Sequence, residues 1–359
     1  MAELQHCHDG RSMHIDLAHQ VARAALVPFG LDPEARLDFI KYRENHVFRA
    51  TDPDGASSAI RLHRPGYRDE DELRSELTYL RALRQAGVEV PEVLPTRTGE
   101  LFTLVHAGGE SRHVSAQRWI EDARPFGDIE SVLAGRHHPE PEAFVRIGAL
   151  LGRLHAAAIS IGVPADFRRS AWDASGLAGP APLWGDPRAL ASLTLRERAA
   201  IDRALPALHA QFSALPTSPS VFGVIHADAS PENLLETTDG VVLIDFDDFG
   251  TGWFVFDLVT AIFHHAHHPR YPDYERALIT GYTRERPLGE QELAAWDAFM
   301  LARGLTYLAW AAERPGDPAS DFVATEVAPW VARLAELYDQ DEPSPWRTST
   351  HPLPEKDPR

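Results

Sequence analysis

The spacing of apolar residues changes about a third of the way along the chain. Before that point, short apolar or alternating runs predict strands at 36–41, 45–51, 58–63, 90–95, 101–106 and 112–120. Two helices accompany them, at 13–26 and 70–85, and the second ends at Gly87. Later apolar residues recur at helical spacing, at 141–160, 194–215, 253–265, 274–283, 290–313 and 321–338. The pattern predicts an α+β protein with a strand-rich first part and a helical remainder.

The stretch 221–257 places polar residues at the ends of short apolar runs. Its first run, Val221–Ile225, predicts a buried strand that ends at His226 and Asp228. Asp228 then lies on a loop that leads into the next apolar segment. This stretch is therefore the first place to look for chemistry.

A hairpin follows this loop. Asp239-Gly240 separates two apolar runs, which is a strong signal for a tight turn. Folding the chain about this turn places Leu234 opposite Asp245, with Asn233 one step further out. Asn233 and Asp245 are therefore predicted to meet at the open end of the hairpin, beside the loop that carries Asp228.

This arrangement collects an amide oxygen and several carboxylates in a small volume. Crowded carboxylates repel one another unless a cation joins them or one of them stays protonated. Oxygen ligands suit a hard divalent cation, and Mg²⁺ commonly binds substrate phosphates as well. Single Asp and Asn residues near hairpins are often only turn formers, but that alternative does not explain so many polar residues at one hairpin end. The pattern indicates metal-dependent chemistry at phosphate.

The order of these residues matches a known template. His-x-Asp-x-x-x-x-Asn, a hairpin and then Asp in an apolar setting is the catalytic half of the phosphoryl-transfer pattern. In this respect the chain resembles the aminoglycoside phosphotransferase and choline kinase-like family, the small-molecule relatives of protein kinases. His226-Ala-Asp228 with Asn233 is similar to the catalytic loop of that family. Asp245-Phe-Asp247 takes the place of the protein kinases' Asp-Phe-Gly.

The resemblance extends from about Arg36 to Glu313 and implies a bilobal, protein kinase-like α+β fold. A small β-rich lobe is expected at 1–117, a hinge at 118–122 and a larger helical lobe at 123–339. The Pro-rich and charged tail, 340–359, is predicted to be disordered.

The resemblance also implies roles for the catalytic residues. ATP would bind between the lobes, with GTP left open as the nucleotide. Asp228 would orient and deprotonate an acceptor hydroxyl, while Asn233 and Asp245 hold Mg²⁺ on the phosphates. Asp247 is expected to hold or brace a second metal ion. His226 is expected to support the loop.

Arg61 and Glu76 form a second candidate pair. Arg61 stands where kinases place the strand lysine that holds the nucleotide phosphates, and its planar fork suits bidentate phosphate contact. Glu76 falls inside the leucine stripe of the helix 70–85, with no cation three or four residues away. A buried carboxylate needs a partner, and we expect Arg61 to be that partner. A surface arginine and a glutamate at the edge of the stripe are the alternatives.

Three further nucleotide contacts follow from the resemblance alone. Asn45, in Arg43-Glu44-Asn45, is placed on the loop over the nucleotide phosphates. The family often has Ser-Glu-Asn there, and no G-x-G-x-x-G is present, so a plain hairpin is the alternative. Trp119 and Ile120 are placed at the hinge that holds the adenine ring.

Composition restricts the partners and the compartment. The formal net charge of −18 argues against nucleic acid, which requires a basic face, and it suits a cationic substrate. The single cysteine, Cys7, excludes an intrachain disulfide and fits a reducing compartment. The apolar stretch 254–263 is too short to span a bilayer, and no secretory signal is visible. A cytoplasmic protein without a membrane partner is predicted, either monomeric or homodimeric.

The sequence leaves the phosphate acceptor open. A small-molecule hydroxyl is expected first, on an antibiotic of the aminoglycoside or nucleoside kind, which implies antibiotic resistance, or on an amine-bearing metabolite. The irregular stretch 161–193 is expected to shape the acceptor pocket. Homoserine and protein Ser/Thr, acceptors of related superfamily members, are the alternatives. A nucleotide-binding pseudokinase scaffold is the alternative of another class, which intact Asp228, Asn233 and Asp245 oppose.

Asp257 and the histidines complete the candidates. Asp257 is expected to brace the catalytic loop, as in kinase-like folds. His155 is interpreted as a core residue without chemistry. His264–His268 are predicted to form a solvated helix end rather than a zinc site, because no carboxylate or cysteine stands at a fitting spacing.

Overall fold

The computed structural model describes residues 13–42 and 45–347, and these divide into two units. The first unit runs up to Ala123 and also includes Pro164–Arg168, while the second contains the remaining described residues. The first is built on an antiparallel sheet and the second mainly on helices. The predicted α+β class is confirmed at this level.

The first unit combines one sheet with two helices. Its elements are α1 (Ile15–Leu26), β1 (Arg36–Tyr42), β2 (His46–Thr51), β3 (Ser57–Leu62), α2 (Glu70–Gln85), β4 (Val93–Leu94), β5 (Phe102–Ala107) and β6 (Glu110–Arg118). The strand order is β1-β2-β3-β6-β4, and β5 pairs with β6. Helix α1 buries small and branched residues at helical spacing, Ala18, Val21, Ala22 and Ala25, in the same core cluster as Phe48 of β2. Small side chains on this face allow the helix to lie close to the sheet.

Both ends of α2 are set by its sequence. Asp69 accepts a hydrogen bond from the Glu72 amide at 2.8 Å, and Glu72 accepts one from the Asp69 amide at 3.0 Å, which forms a capping box. After the helix, Gly87 has a φ of +84°, the left-handed conformation that ends many helices. The predicted bounds of this helix, 70–85, are those observed.

Residues 164–168 pack with the first unit, although the predicted boundaries assign them to the second lobe. The amide N–H of Arg168 donates to Ser75 Oγ of α2 at 2.9 Å. The ring of Phe167 lies edge-on to the buried Tyr79 of α2, with ring centroids 6.0 Å apart. A single aromatic residue in a polar loop thus covers part of α2. The order of elements along the chain does not reveal this contact.

The second unit contains most of the helices and two small sheets. Its elements are β7 (Arg124–Pro125), α3 (Ile129–Leu133), α4 (Pro141–Ile161), β8 (Ala171–Trp172), α5 (Ala174–Ala178), α6 (Leu195–Ser213), β9 (Phe222–Ile225), β10 (Leu234–Glu236), β11 (Val241–Leu243), β12 (Gly250–Trp253), α7 (Phe254–Phe263), α8 (Tyr271–Thr283), α9 (Glu290–Ala294), α10 (Trp296–Ala312), α11 (Pro318–Phe322) and α12 (Ala328–Asp339). The sheets have the orders β11-β10-β7 and β8-β12-β9. The predicted helix 290–313 is therefore two helices, α9 and α10, and a π-helical turn at Val323–Val327 interrupts the last predicted helix.

Helices α4 and α8 are packed through two glycines. A Cβ on Gly148 of α4 would lie 2.0 Å from the Leu278 carbonyl oxygen, and one on Gly281 of α8 would lie 2.0 Å from the Val145 carbonyl oxygen. Only glycine permits this approach at either position. By length and composition α4 could cross a membrane, but 56% of its apolar window is buried in the protein. Its apolarity is explained by this packing.

The segment 340–347 differs from the predicted disordered tail. Trp346 is buried in a short 3-10 helix, Pro345–Arg347, and its Nε1 donates to Asp297 Oδ1 at 2.9 Å. The Trp346 side chain therefore holds the end of this segment against α10. Residues 348–359, like Cys7, Arg43 and Glu44, lie outside the described residues.

Three of the four histidines that follow α7 are not solvated, so the prediction is wrong for them, whereas His267 is exposed. His264, His265 and His268 are buried. His137 Nδ1 lies 3.2 Å from His265 Nε2, and His138 Nδ1 lies 2.7 Å from His268 Nε2. Across residues 13–42 and 45–347, no group of three or more His, Cys, Asp or Glu side chains could hold a metal ion. His265 and His268 instead form hydrogen bonds with the half-buried His137 and the exposed His138.

We expect the free energy of unfolding to fall as the pH drops from about 6.5. Burial lowers the pKa of His265 to about 3 and that of His46 to about 4. Between these values and about 6.5 the unfolded chain binds protons that the folded chain does not, so each histidine destabilises the fold by about 1.4 kcal/mol per pH unit. Thermal unfolding measured from pH 7.5 to 5 checks this.

The matched variant is His265→Phe, which keeps a ring among Phe126, Phe144 and Tyr274 but cannot titrate. Its stability should decline less steeply with acid than that of the native protein. Equal slopes for the two proteins would contradict the prediction.

Candidate active site

A buried carboxylate, Asp257 of α7, holds the loop that follows β9. Its Oδ2 accepts the amide N–H of His226 at 2.8 Å, and its Oδ1 accepts that of Ala227 at 2.6 Å. His155 Nε2 donates to Oδ2 at 3.1 Å. Burial opposes ionisation of Asp257, but the hydrogen bonds from the His155 ring and the His226 amide lower its pKa below the usual value. The bracing contact predicted for this residue is present.

His155 connects Asp257 to α8. Its Nδ1 accepts from the hydroxyl of Tyr282 at 2.9 Å, and its ring stacks on Phe254 at 4.6 Å between centroids. Burial lowers the pKa of His155. The predicted core residue therefore also orients the carboxylate that holds the loop, a link that its sequence position did not indicate.

Both ring nitrogens of His226 are used within the protein. Nδ1 accepts the amide N–H of Asp228 at 3.2 Å, so Nε2 carries the proton that it donates to the Ile244 carbonyl at 3.0 Å. The ring also meets Phe246 edge-on, with centroids 4.5 Å apart. His226 thus ties the loop to the hairpin. Between His226 and Asp228, Ala227 has a φ of +67°, a conformation that non-glycine residues rarely adopt.

Asp228 is held from two sides. Its Oδ2 accepts from Asn233 Nδ2 at 2.9 Å, and the same amide nitrogen donates to the Asp228 carbonyl at 2.9 Å. Its Oδ1 accepts from Nη2 of Arg303, on α10, at 2.6 Å. The side chain of Asp228 is 22% exposed, whereas that of Arg303 is 0% exposed. The result is an accessible carboxylate whose orientation is fixed.

The hairpin has a different register from the predicted one. Leu234 pairs with Leu243 rather than with Asp245, and the Ile244 amide donates to the Asn233 carbonyl at 2.9 Å. The loop is four residues long because Thr237 closes it: the Gly240 amide donates to Thr237 Oγ1 at 3.1 Å. Asn233 is therefore opposite Ile244, one residue from Asp245, so both still lie at the open end of the hairpin.

The two aspartates after the hairpin sit differently from each other. Asp245 is half-buried and has a φ of +67°. Asp247 is buried, and its backbone carbonyl accepts a hydrogen bond from Arg169. The next residue, Asp248, accepts from the indole of Trp184 at 3.2 Å through Oδ1. The stretch 161–193, predicted to be irregular, is thus anchored on this segment.

The donor set fits a cation that is shared with a ligand. Because Nδ2 of Asn233 donates to Asp228, the amide oxygen of Asn233 is the atom left for a metal. Asp245 directly follows Ile244, the residue opposite Asn233 in the hairpin. The described part of the chain offers no cluster of three or more acidic or histidine side chains for one ion. Mg²⁺ typically takes only one or two protein oxygens and completes its shell with phosphate and water. Asn233 and Asp245 match that requirement.

Arg303 is the site residue that sequence reasoning missed. It lies on α10, 75 residues from Asp228. The available signal is that Arg303 and Asp297 are the only charged residues of α10. An arginine on an otherwise apolar helix must be paired or exposed, but the pattern does not reveal the partner.

The first unit brings the predicted pair together. Arg61 Nη1 lies 3.2 Å from Glu76 Oε1, with both residues buried. Asn45 is also buried, and its Oδ1 accepts the amide N–H of Arg64 at 3.1 Å. The expected partner of Glu76 is therefore confirmed, and the surface-arginine alternative is wrong.

Trp119 and Ile120 directly follow β6 and are half-buried. The guanidinium of Arg49 lies 5.0 Å above the Trp119 ring and pairs with Glu121 at 2.7 Å. The Trp119 amide donates to the Ser57 carbonyl at 3.1 Å. The backbone donor of Trp119 is thus used within the first unit.

Comparison with known proteins places these residues in context. The model of one family, described as the phosphotransferase enzyme family, matches residues 39–296. Amicoumacin kinase of Bacillus subtilis (strain 168) is 22% identical over 73% of this chain and 72% of its own length.

Two solved structures are similar over nearly their whole chains. A microcompartment-associated aminopropanol kinase is 29% identical, with a TM-score of 0.77, over 90% of this chain and 98% of its own. Amicoumacin kinase hAmiN in complex with AMP-PNP, Ca²⁺ and Ami is 18% identical, with a TM-score of 0.72, over 94% of this chain and 100% of its own. The second likeness bears on the fold alone.

Proposed function

The chain belongs to the phosphotransferase enzyme family, and on this premise we propose that it transfers the γ-phosphoryl group of ATP to the hydroxyl of a small amine-bearing alcohol. The observation that carries the proposal is the orientation of Asp228, which Asn233 and Arg303 hold while part of its side chain stays exposed. A fixed, accessible carboxylate is what a general base requires.

Asp228 orients the acceptor hydroxyl and accepts its proton. The acceptor oxygen bonds to the γ-phosphorus as the bond from that phosphorus to the bridging oxygen of ADP breaks, so the products are a phosphate ester and ADP. Asn233 and Asp245 would hold Mg²⁺, whose charge would neutralise that of the phosphates. His226 and Asp257 keep the loop in place. Positioning and charge account for most of such catalysis.

Two observations support the proposal that the acceptor carries an amine. The aminopropanol kinase resembles this chain in sequence as well as in fold, over 98% of its length. The formal net charge of −18 attracts a cationic molecule and repels an anionic one. We therefore place an amino alcohol before a neutral sugar or an acid among the candidate acceptors.

The test is a panel assay read by mass spectrometry. Purified protein, ATP and Mg²⁺ are incubated separately with aminopropanol, choline, homoserine, an aminoglycoside and amicoumacin. The expected result is a gain of one phosphoryl group on an amino alcohol, with ADP formed in equal amount. Asp245→Asn, run in parallel, should give none. Transfer to homoserine alone would change the acceptor class, and the absence of transfer to every acceptor would contradict the proposal.

The Arg61–Glu76 pair is proposed to hold the nucleotide phosphates in the first unit. Arg61→Met and Glu76→Gln should each weaken ATP binding by about tenfold, equivalent to about 1.4 kcal/mol. Because the two side chains touch, the double variant should lose less than the sum of the single losses. Calorimetric titration with a non-hydrolysable ATP analogue measures all three, and additive losses would show that the two act independently.

A further inference from the structure

Arg303 is a fully buried arginine whose carboxylate partner is Asp228. Its Nη2 lies 2.6 Å from Asp228 Oδ1, and its side chain is 0% exposed. Removing an arginine from water is unfavourable unless strong hydrogen bonds replace the lost hydration. Yet Nε and Nη1 of Arg303 are buried without a hydrogen-bond partner in the described residues. A side chain chosen for stability alone would not leave two donors unused.

Two aromatic rings fix the guanidinium. Its central carbon lies 5.0 Å from the ring centroid of Trp184 and 4.9 Å from that of Tyr307. Trp184 is itself tied to Asp248 through its indole N–H, at 3.2 Å, and the Tyr307 hydroxyl lies 3.1 Å from His264 Nε2. Rings at this distance hold a cation by electrostatic attraction and restrict its movement. The guanidinium is thus presented to Asp228 in one orientation.

The neighbouring histidine adds no competing charge. His264 is completely buried, and burial together with the charge of Arg303 lowers its pKa. It stays neutral near pH 7. With the Arg303 donors otherwise unpaired, the interaction of the guanidinium with an anion is directed at Asp228.

The catalytic loop supplies no cation of its own. The residues between Asp228 and Asn233 are Ala-Ser-Pro-Glu, without lysine or arginine. A carboxylate with a free Oδ1 could rotate about its side-chain bond and lose the orientation set by Asn233. The cation that prevents this comes from α10, 75 residues away.

We propose that Arg303 is a positioning residue for phosphoryl transfer: with Trp184 and Tyr307 behind it, it holds Asp228 in the orientation that receives the acceptor hydroxyl. This inference rests on the proposed function of Asp228. The guanidinium fixes Oδ1, Asn233 fixes Oδ2, and the exposed part of the carboxylate faces the acceptor. Arg303 acts through Asp228 and contacts no substrate.

Kinetics of Arg303→Met and Arg303→Lys test this, with the acceptor that the panel assay identifies. Arg303→Met should lower kcat about 100-fold, a typical effect of a misplaced general base. The KM for ATP should change less than about threefold, because the substitution removes no contact that binds ATP in the ground state. Arg303→Lys keeps the charge without the planar fork, so it should recover part of kcat. If Arg303→Met does not fold, Arg303→Lys decides alone: a native kcat overturns the inference.

The matched control is Arg314→Met. Arg314 follows α10 and lies 4.8 Å above the Trp310 ring, so the change removes an arginine stacked on tryptophan away from Asp228. It should leave kcat within about twofold of the native value, which is the range of a neutral surface change. Equal losses of kcat in the two variants would show a general effect of removing arginine and would overturn the inference.

A crystal structure of Arg303→Met separates this inference from the proposed function. The expected result is an Asp228 carboxylate rotated away from Asn233. A carboxylate unchanged in position overturns the positioning role even if the native enzyme is active. Conversely, absence of transfer by the native protein contradicts the proposed function, and the position of Asp228 in the variant still decides the role of Arg303.

Discussion

Replacing Asp228 by asparagine is expected to lower the rate of phosphoryl transfer at least about 1,000-fold, because the amide cannot accept the hydroxyl proton. The fold should weaken as well. Arg303 is completely buried, and losing its carboxylate leaves an uncompensated charge inside the protein, at a cost of about 3–5 kcal/mol. Single-turnover assays and thermal unfolding measure the two effects.

The double variant Asp228→Asn/Arg303→Met separates them. Removing both charges should restore much of the lost stability, since no unpaired charge remains, while activity stays absent. Recovery of transfer by the double variant would exclude Asp228 as the base. A double variant no more stable than Asp228→Asn alone would exclude the ion pair as the origin of the stability loss.

Asp257→Ala is expected to abolish transfer and to destabilise the second unit. The change leaves the amides of His226 and Ala227 and the ring of His155 without their acceptor, all in the interior. Unsatisfied buried donors cost about 1–3 kcal/mol each. The catalytic loop should then lose its conformation, including the φ of +67° at Ala227. Hydrogen exchange of the His226 and Ala227 amides, followed by NMR or mass spectrometry, checks this directly.

Glu292→Ala is the control for Asp257→Ala. Glu292 is also buried in the second unit, and burial raises its pKa. It accepts the Gly289 amide at 2.8 Å, remote in sequence from the catalytic loop. This variant should lose stability but keep slow exchange at His226 and Ala227. If both variants increase hydrogen exchange at His226 and Ala227 equally, Asp257 does not stabilise the catalytic loop specifically.

Local sequence signals predicted the features that local interactions determine. Helix α2 has the predicted bounds because Asp69 and Gly87 act within a few residues of its ends. The Arg61–Glu76 pair was predictable since a buried charge on a leucine stripe requires a partner. The contact of Asp257 with the catalytic loop followed from the family pattern rather than from spacing.

Interactions that depend on distant residues were not predictable in this way. The register of the hairpin is set by Thr237, whose hydroxyl competes with a two-residue turn at Asp239-Gly240. Arg303 and Asp228 are brought together by the packing of α10, and no periodicity encodes that meeting. The sequence predicts a solvated helix end for the buried His264, His265 and His268 that follow α7, because the aromatic residues around His265 lie elsewhere in the chain.

The segment 164–168 has a consequence for synthesis on the ribosome. Domains generally fold as units during translation, beginning at the N-terminus. The first unit, however, includes Phe167 and Arg168, which follow the end of α4 and contact α2. When residue 123 emerges, the contacts that Phe167 and Arg168 make with α2 are still missing, and more than forty further residues must follow before they can form. A fragment ending at Ala123 should therefore aggregate readily and be poorly soluble, and a fragment extended through Arg168 should be more soluble.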